Sequence, residues 1–292
     1  MTSAYVVAEG LGKSFSGKPV LENVSFTVEP GDVVGVLGKN GAGKTTLLEL
    51  MLGFTPPTAG RVEVFGHESF KLPGAAKARI GFVPQQDELV SQLTARDQID
   101  VIASFYSRWD HALIERLCRT WELDPGERIK GMSVGQRQKL SILLSLGHCP
   151  DLLILDEPVA SLDPVARRRF LEQIVDVTAD QQRSVVLSSH IVTDIERLAN
   201  KIWILKDRRM YWRGDFDSLK DSVVRIHVRS QTAFPEGWSI PNALSTQIEE
   251  GYATAIVGDW TAELQGELET RLRASLEVEP LTLEDIFLEL HR

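Results

Sequence analysis

The chain has 292 residues, and 43% of them are hydrophobic, which is enough to bury a full core and a small accessory domain. Its 41 acidic and 32 basic residues give a formal net charge of −9, which argues against a broad basic surface for nucleic acid. Two cysteines are too few for a disulfide framework and favour a reducing compartment.

The opening residues, MTSAYVVAEG, lack the basic flank and the apolar core of a signal peptide. No apolar run reaches the roughly 18 residues that a membrane span requires. We therefore expect a soluble intracellular protein, which would act at a membrane only by binding another polypeptide.

In chain order, the first predicted elements are strands that lead into a glycine-rich loop and a helix. Residues 5–8 and 20–28 are predicted to form strands, and residues 33–37 (VVGVL) form a continuous apolar run, typical of a strand covered on both faces. The glycine loop, residues 38–46 (GKNGAGKTT), follows and leads into a helix predicted at residues 44–52. Strand, glycine loop and helix in this order are the context that a phosphate-binding loop requires.

The glycine loop has the residue types that phosphate binding needs. Its glycines allow backbone N–H groups to converge on phosphate oxygens, where a Cβ would crowd them. Lys44 would reach the β- and γ-phosphates, and the Thr45 hydroxyl would ligate Mg²⁺. The alternative is an ordinary glycine-rich turn, which the strand and helix on either side disfavour. The predicted nucleotide-binding residues of this loop are Gly38, Asn40, Gly41, Ala42, Gly43, Lys44, Thr45 and Thr46.

The middle of the chain is predicted to alternate helices with buried strands. A strand is predicted at residues 79–84, and apolar residues at a spacing of three to four predict helical structure from about 94 to 123. The run 152–155 (LLIL) is a second buried strand. Further predicted elements are helices at 134–147, 164–178 and 191–199, a strand at 184–187, and a hairpin of strands 202–205 and 209–213.

Two carboxylates, Asp156 and Glu157, come directly after the buried strand LLIL. Parallel sheets bind ligands at the carboxyl ends of their strands. Asp156 would hold Mg²⁺ through water, and Glu157 would take a proton from the attacking water. Taken alone, the pair would be interpreted as two capping carboxylates, but downstream of a phosphate-binding loop we favour the catalytic interpretation.

The stretch before the acidic strand indicates the class of nucleotide-binding protein. A GTPase should carry Asn-Lys-x-Asp, but the only Asn-Lys pair, at 200–201, is followed by Ile-Trp without the Asp. Residues 132–138 (MSVGQRQ), here named the signature segment, occur together with Gln85, the triplet SLD at 161–163 and His190 in LSSH. These motifs and their order resemble the ATP-binding cassette (ABC) family.

The resemblance implies a role for each matching residue. Gln85 would sense Mg²⁺ and the attacking water, and His190 would contact the γ-phosphate. Phe15, in GKSF, matches the aromatic residue that stacks on adenine, although a core aromatic would give the same pattern. Asp163 matches the residue that communicates between two active sites.

Ser133, Gly135 and Gln136 of the signature segment lie far along the chain from the glycine loop. In the family, the matching residues complete the site of a second subunit, so that two ATP molecules are held between two head-to-tail protomers. The segment departs from the common LSGGQ, because Met132 and Val134 replace Leu and the first Gly.

The resemblance covers residues 4–217 and implies an α/β fold of the P-loop NTPase type. That fold has a RecA-like core, an antiparallel β subdomain and a helical subdomain, expected here at about 87–150. We assign residues 1–219 to the ATP-binding domain and residues 220–292 to a small C-terminal α+β domain. The latter rests on alternation at 222–229, a strand near 252–257, a helix through Leu264, Leu268 and Leu272, and a last helix after Thr282.

The leading hypothesis is the ATP-binding and hydrolysing subunit of an ABC transporter, similar to single-cassette bacterial exporter subunits. It would use ATP and Mg²⁺, form a homodimer, and power export through a membrane-spanning permease on a separate chain. That partner would hold it at the cytoplasmic face of the inner or plasma membrane, docked in a groove beside Gln85 that residues 87–110 border. We expect no nucleic acid partner.

The alternative hypothesis is a soluble ABC ATPase that acts in DNA repair or translation. Chromosome-type relatives insert long coiled coils between the phosphate loop and the signature, whereas residues 47–132 show no sustained heptads. Translation-type relatives place two cassettes in one chain, and this chain has one.

Overall fold

The computed structural model describes residues 4–159, 162, 164–178, 183–229, 234, 240, 242–249, 251–272 and 276–290. The chain divides into two compact units, Met1–Arg213 and Gly214–Arg292. The predicted boundary between residues 219 and 220 lies inside the helix Phe216–Ser222, which belongs to the second unit.

The first unit combines two sheets with seven described helices. Its first part contains β1 (Val6–Phe15), β2 (Lys18–Val28), β3 (Val33–Leu37), α1 (Lys44–Leu52), β4 (Ala59–Val64), β5 (His67–Glu68), α2 (Gly74–Lys77) and β6 (Ile80–Val83). It continues with α3 (Ala95–Ala103), α4 (His111–Thr120), α5 (Val134–Leu146), β7 (Leu152–Asp156), α6 (Pro164–Thr178), β8 (Ser184–Ser188), α7 (Val192–Leu198), β9 (Lys201–Lys206) and β10 (Arg209–Asp215).

The central sheet has six strands in the order β10-β9-β3-β8-β7-β6, and β9, β3, β8, β7 and β6 run parallel. Every residue of β3, β7 and β8 is buried, as expected for strands that are covered on both faces. The carboxyl ends of β3 and β7 therefore lie at the same edge, where the glycine loop and the acidic pair follow them. The predicted α/β fold is confirmed.

The second sheet is antiparallel, with strands in the order β2-β1-β4-β5. Its core residues, such as Val6 and Phe26, belong to one hydrophobic cluster with Leu47 and Met51 of α1 and Val36 of β3. The cluster fixes the antiparallel sheet against the helix that follows the glycine loop. Sequence patterns predicted β1 only at residues 5–8, although the strand continues to Phe15.

The helical segment predicted from 94 to 123 contains two helices, α3 and α4, that residues 104–110 separate. Asp110 starts the second helix, because its carboxylate accepts a hydrogen bond of 2.8 Å from Leu113 N. Ile99 of α3 and Leu117 of α4 are both about 1% exposed, and their burial explains the apolar spacing on which the helical prediction rested.

The second unit contains α8 (Phe216–Ser222), β11 (Val224–Arg229), β12 (Ala243–Glu249), β13 (Tyr252–Val257), α9 (Ala262–Leu272), β14 (Leu276–Pro280) and α10 (Leu283–Leu290). Its four strands form a sheet in the order β12-β13-β11-β14. Ile226 and Ala255 of this sheet share a hydrophobic cluster with Leu268 of the helix that precedes its last strand. Sequence patterns did not predict β12, because its residues are mostly exposed and lack apolar alternation, and did not predict β14 either.

The helices in both units are short. The longest described helix, α6, has 15 residues. Within the parts of the chain that the structure describes, no helix combines the length and the apolar character that crossing a membrane would take.

Candidate functional site

The glycine loop joins the end of β3 to the start of α1, and close contacts require glycine at two of its positions, Gly38 and Gly43. Gly43, the residue that precedes α1, has φ of 100°, and a Cβ there would lie 2.7 Å from Leu21 Cδ2. A Cβ on Gly38 would lie 2.9 Å from Leu205 O. No described side chain caps the first turn of α1, and no acidic residue lies in it. The N–H groups of that turn can therefore bind an anion.

A pocket of about 470 Å³ opens beside the glycine loop and is here named the loop pocket. It brings together predicted residues from four separate parts of the sequence. Val20, at the start of β2, also lines it and was not predicted, because a valine in a strand gives no local signal of ligand contact. The residues that line it are Phe15, Val20, Asn40, Gly41, Gly43, Lys44, Thr45, Thr46, Gln85 and Glu157.

Lys44 and Glu157 form a nearly buried ion pair in the loop pocket. Lys44 Nζ lies 3.5 Å from Glu157 Oε1, and the two side chains are 7% and 8% exposed. Lys44 also donates a hydrogen bond of 2.8 Å to Gly38 O. Burial of a charged group is costly unless the group is paired, so these contacts hold the ammonium and the carboxylate in fixed positions.

His190 contacts the other oxygen of the Glu157 carboxylate. The ring atom Nδ1 lies 2.6 Å from Glu157 Oε2, and the backbone N–H of His190 donates to the same oxygen at 3.2 Å. Glu157 has φ of 48°, in the left-handed region that a non-glycine residue adopts at a cost. Its carboxylate is therefore oriented from both sides, by Lys44 and by His190.

Ser188, at the end of β8, links the two carboxylate residues at the carboxyl end of β7, Asp156 and Glu157, and was not predicted. Its hydroxyl donates a hydrogen bond of 2.6 Å to Asp156 Oδ1 and accepts one of 3.0 Å from Glu157 N. The side chain is fully buried. Because β7 and β8 are neighbours with Asp156 opposite Ser188, the hydroxyl sits where it can fix the acidic pair.

The other predicted residues have different surroundings. Ala42 packs against the core cluster beneath the loop. Ser133, Gly135 and Gln136 lie apart from the residues described as lining the loop pocket, at the start of α5. Asp163 lies outside the described residues.

Ser133 and Gln136 form a capping box at the start of α5. Ser133 Oγ accepts a hydrogen bond of 3.2 Å from Gln136 N, and Ser133 N donates one of 2.8 Å to Gln136 Oε1. Ser133 itself is exposed to solvent. Ser133 is thus held at the start of a formed helix and is presented at the surface of this chain.

A salt bridge joins the segment after Gln85 to the signature segment. Arg137 Nε lies 3.0 Å from Asp87 Oδ2, and Arg137 Nη1 donates a hydrogen bond of 2.9 Å to Met132 O. Gln85, which lines the loop pocket, precedes Asp87 by two residues, so a short segment connects the pocket to the residue that pairs with Arg137 of α5.

Comparison with known proteins agrees with the geometry. Residues 21–160 match the family model described as ABC transporter. The chain is 32% identical over 222 residues to the ABC transporter ATP-binding protein YtrB of Bacillus subtilis, and the match covers 76% of each chain. It is 30% identical over 288 residues to the Nod factor export ATP-binding protein I of Burkholderia lata, with coverage of 95% of this chain and 94% of the relative. A solved ATP-binding subunit of an ABC transporter matches with a TM-score of 0.68 and 28% identity, over 74% of this chain and 92% of that chain.

Proposed function

This chain belongs to the ABC transporter family of ATP-binding proteins, and on that premise we propose that it hydrolyses ATP to power export through a separate membrane-spanning permease. The observation that carries the proposal is the loop pocket, which joins an uncapped helix start to the Lys44–Glu157 pair. The alternative of an ATPase in DNA repair or translation is set aside, because the relatives are transporter subunits.

In this function, ATP lies in the loop pocket with its phosphates on the glycine loop. The N–H groups of the loop and of the first turn of α1 surround the phosphates, and Lys44 pairs with the β- and γ-phosphates. Phe15, which is 46% exposed and lines the pocket, stacks on the adenine. Arrival of the phosphates gives Lys44 a second anionic partner and loosens its contact with Glu157.

Thr45, which lines the loop pocket, and Asp156, at the end of β7, would hold a Mg²⁺ ion, because a hydroxyl and a carboxylate are oxygen ligands of the kind that this cation prefers. The bound ion would neutralise charge on the β- and γ-phosphates. Ser188 holds Asp156 through a hydrogen bond of 2.6 Å and so keeps the carboxylate in one orientation.

Glu157 acts as the general base. It accepts a proton from a water molecule while the water oxygen attacks the γ-phosphorus and the bond to the ADP oxygen breaks. His190, at 2.6 Å, holds the carboxylate in the position from which it can take that proton. Gln85, which is exposed and lines the same pocket, would contact this water as well.

The site is completed by a second copy of the chain. Ser133 is exposed and Gly135 and Gln136 are half-buried at the start of α5, where a hydroxyl and helix N–H groups can meet the γ-phosphate held by the other protomer. A two-fold arrangement gives each loop pocket the signature segment of its partner, which supports a homodimer that closes on two ATP molecules.

An aromatic groove, formed by Phe54, Phe70 and Phe82, supports docking of the permease. Phe54 is 62% exposed and Phe70 49% exposed, and the Phe54 and Phe82 rings meet edge to face at 5.5 Å. The groove has a volume of about 250 Å³. Phe82 lies on β6, three residues before Gln85, so an apolar segment of the permease seated here would be coupled to the loop pocket.

The region that was predicted to border the docking surface, residues 87–110, adds further apolar area. Phe105 is 77% exposed and Val101 44% exposed. In this role the chain is held at the cytoplasmic face of the inner or plasma membrane by the permease. Export as the direction is supported by the name of the Nod factor relative.

The test is a Glu157→Gln variant, purified and assayed beside the wild type. Loss of the base should reduce steady-state ATP hydrolysis by at least about 100-fold, while ATP stays bound and dimers accumulate on size-exclusion chromatography. Glu115→Gln, an exposed change on α4, should retain hydrolysis. Unchanged hydrolysis in Glu157→Gln would contradict the assignment of the base.

A further inference from the structure

Lys13, near the end of β1, is a buried lysine. Only 7% of it is exposed, and its ammonium donates hydrogen bonds to Thr55 Oγ1 at 2.5 Å and to Pro56 O at 2.7 Å. Among the described residues, no carboxylate forms a salt bridge with it. A buried ammonium held by neutral oxygens is costly, so the position calls for an explanation.

The ammonium of Lys13 lies against the ring of Phe15. Lys13 and Phe15 are two residues apart on β1, at a place where the pairing of β1 with β2 is irregular. Lys13 Nζ lies over the ring, 4.8 Å from its centroid, which is the geometry of a cation–π interaction. Phe15 keeps 46% of its surface exposed and lines the loop pocket, whereas Lys13 is buried.

The acceptors of Lys13 connect the ring to the helix that follows the glycine loop. Thr55 and Pro56 lie in the short segment between α1 and β4. The same segment is fixed to β1 by Thr58, whose N–H donates to Gly12 O at 2.8 Å and whose hydroxyl accepts from Ser14 N at 3.0 Å. The hydrogen bonds to Thr55 and Pro56 therefore hold the Lys13 ammonium in a fixed position beside the Phe15 ring.

We propose that Lys13 is a positioning residue that holds the Phe15 ring in the orientation that stacks on the adenine of ATP. The inference rests on the proposed function, because it needs adenine in the loop pocket. The anchored ammonium attracts one face of the ring and restricts its rotation, so less freedom is lost when the base binds. Lys13 then contributes to affinity for the adenine and not to affinity for the phosphates.

A purely structural role is the competing explanation. Lys13 would then only join β1 to the segment after α1, and its loss would disturb the glycine loop and all of its ligands together. The two explanations differ in whether the loss of affinity after substitution of Lys13 depends on the adenine of the ligand. A ligand that has phosphates but no adenine therefore separates them.

The experiment measures binding of ATP and of inorganic triphosphate by calorimetry to the full chain, with Lys13→Met, Phe15→Ala and the double variant. Lys13→Met should weaken ATP binding about 5- to 10-fold and leave triphosphate binding unchanged within about twofold. The double variant should bind ATP no more weakly than Phe15→Ala, because both changes remove the same interaction. Lys71→Met, an exposed lysine paired with Glu68, should bind both ligands as the wild type does.

Equal weakening of both ligands by Lys13→Met, or losses that multiply in the double variant, would overturn the proposal and support the structural role. If Phe15→Ala itself leaves ATP affinity unchanged, the stacking assigned under the proposed function fails instead. Thr55→Val removes one anchor of the ammonium and keeps the lysine, so it serves if Lys13→Met does not fold. It should weaken ATP binding about two- to threefold and triphosphate binding not at all.

Discussion

The starts of α1 and α5 are used in opposite ways. At α1, Gly43 provides no side-chain cap, and the first turn opens into a pocket where Lys44 and Glu157 are buried together. At α5, Ser133 and Gln136 cap each other, and Ser133 is exposed. One helix start is ready for a phosphate from within the chain, and the other is stable without any ligand.

This difference indicates which part of the site requires a second protomer. An uncapped helix start beside a buried ion pair gains from an anion, so nucleotide binding requires only this chain. The capping box satisfies α5 in the separate protomer, yet Ser133 Oγ uses its lone pairs to accept from Gln136 N, so its O–H can still donate to a phosphate. The signature segment can thus be folded in the separate protomer and bind a phosphate only when the dimer forms.

Among the variants that test this difference between the two helix starts, Ser133→Ala is expected to have the largest effect on ATP hydrolysis. Binding of ATP to the separate protomer should be unchanged within about twofold, whereas hydrolysis at protein concentrations that favour the dimer should fall about 100-fold, as when one donor to a reacting oxyanion is removed. Calorimetry and a phosphate-release assay measure the two quantities.

Thr94→Ala is the matched control, because Thr94 forms the same kind of capping box with Asp97 at the start of α3. Both substitutions should reduce the free energy of unfolding by about 1 kcal/mol through loss of the cap. If Thr94→Ala reduced hydrolysis as much as Ser133→Ala, the loss would be due to the missing helix cap. Ser133 would then have no special role at the phosphate of the other protomer.

A smaller effect is expected within the loop pocket from Ser188→Ala. Removal of the hydroxyl releases Asp156 and leaves Glu157 N without its acceptor, so the rate of hydrolysis should fall about 10-fold. Ser184→Ala is the control, since Ser184 is also buried on β8 and donates a hydrogen bond to Glu29 O. It should cost similar stability, about 1–3 kcal/mol, and preserve the rate. Equal rates of ATP hydrolysis in the two variants would show that Ser188 does not act in the site.

The contrast also explains how much could be predicted from the sequence. The glycine loop and the acidic pair were predictable because each lies within a few residues, directly after an apolar strand. Ser188 was not, because a serine at a strand end is unremarkable until β8 pairs with β7 and brings it to Asp156. Val20 and Lys13 were missed for the same reason, since their partners lie elsewhere in the chain.

Element boundaries followed the same physical rule. Strands such as β3 and β7, which are buried along their whole length, had a clear apolar signal. Mostly exposed β12 had little apolar alternation and was not predicted. The break between α3 and α4 depended on one capping carboxylate, Asp110, which spacing alone does not reveal.

The central claim is that each loop pocket works only with the signature segment of a second protomer. Ser133→Arg and Lys44→Ala chains, each inactive alone, test it directly when mixed in equal amounts and allowed to exchange. Half of the dimers are then mixed, and each mixed dimer has one site with an intact Lys44 and an intact Ser133. As a control, Ser133→Arg mixed with a chain that carries both substitutions has no intact site. The account predicts that the first mixture recovers up to about one quarter of the wild-type ATPase rate and the control recovers none. A first mixture that stays as inactive as its components would contradict it.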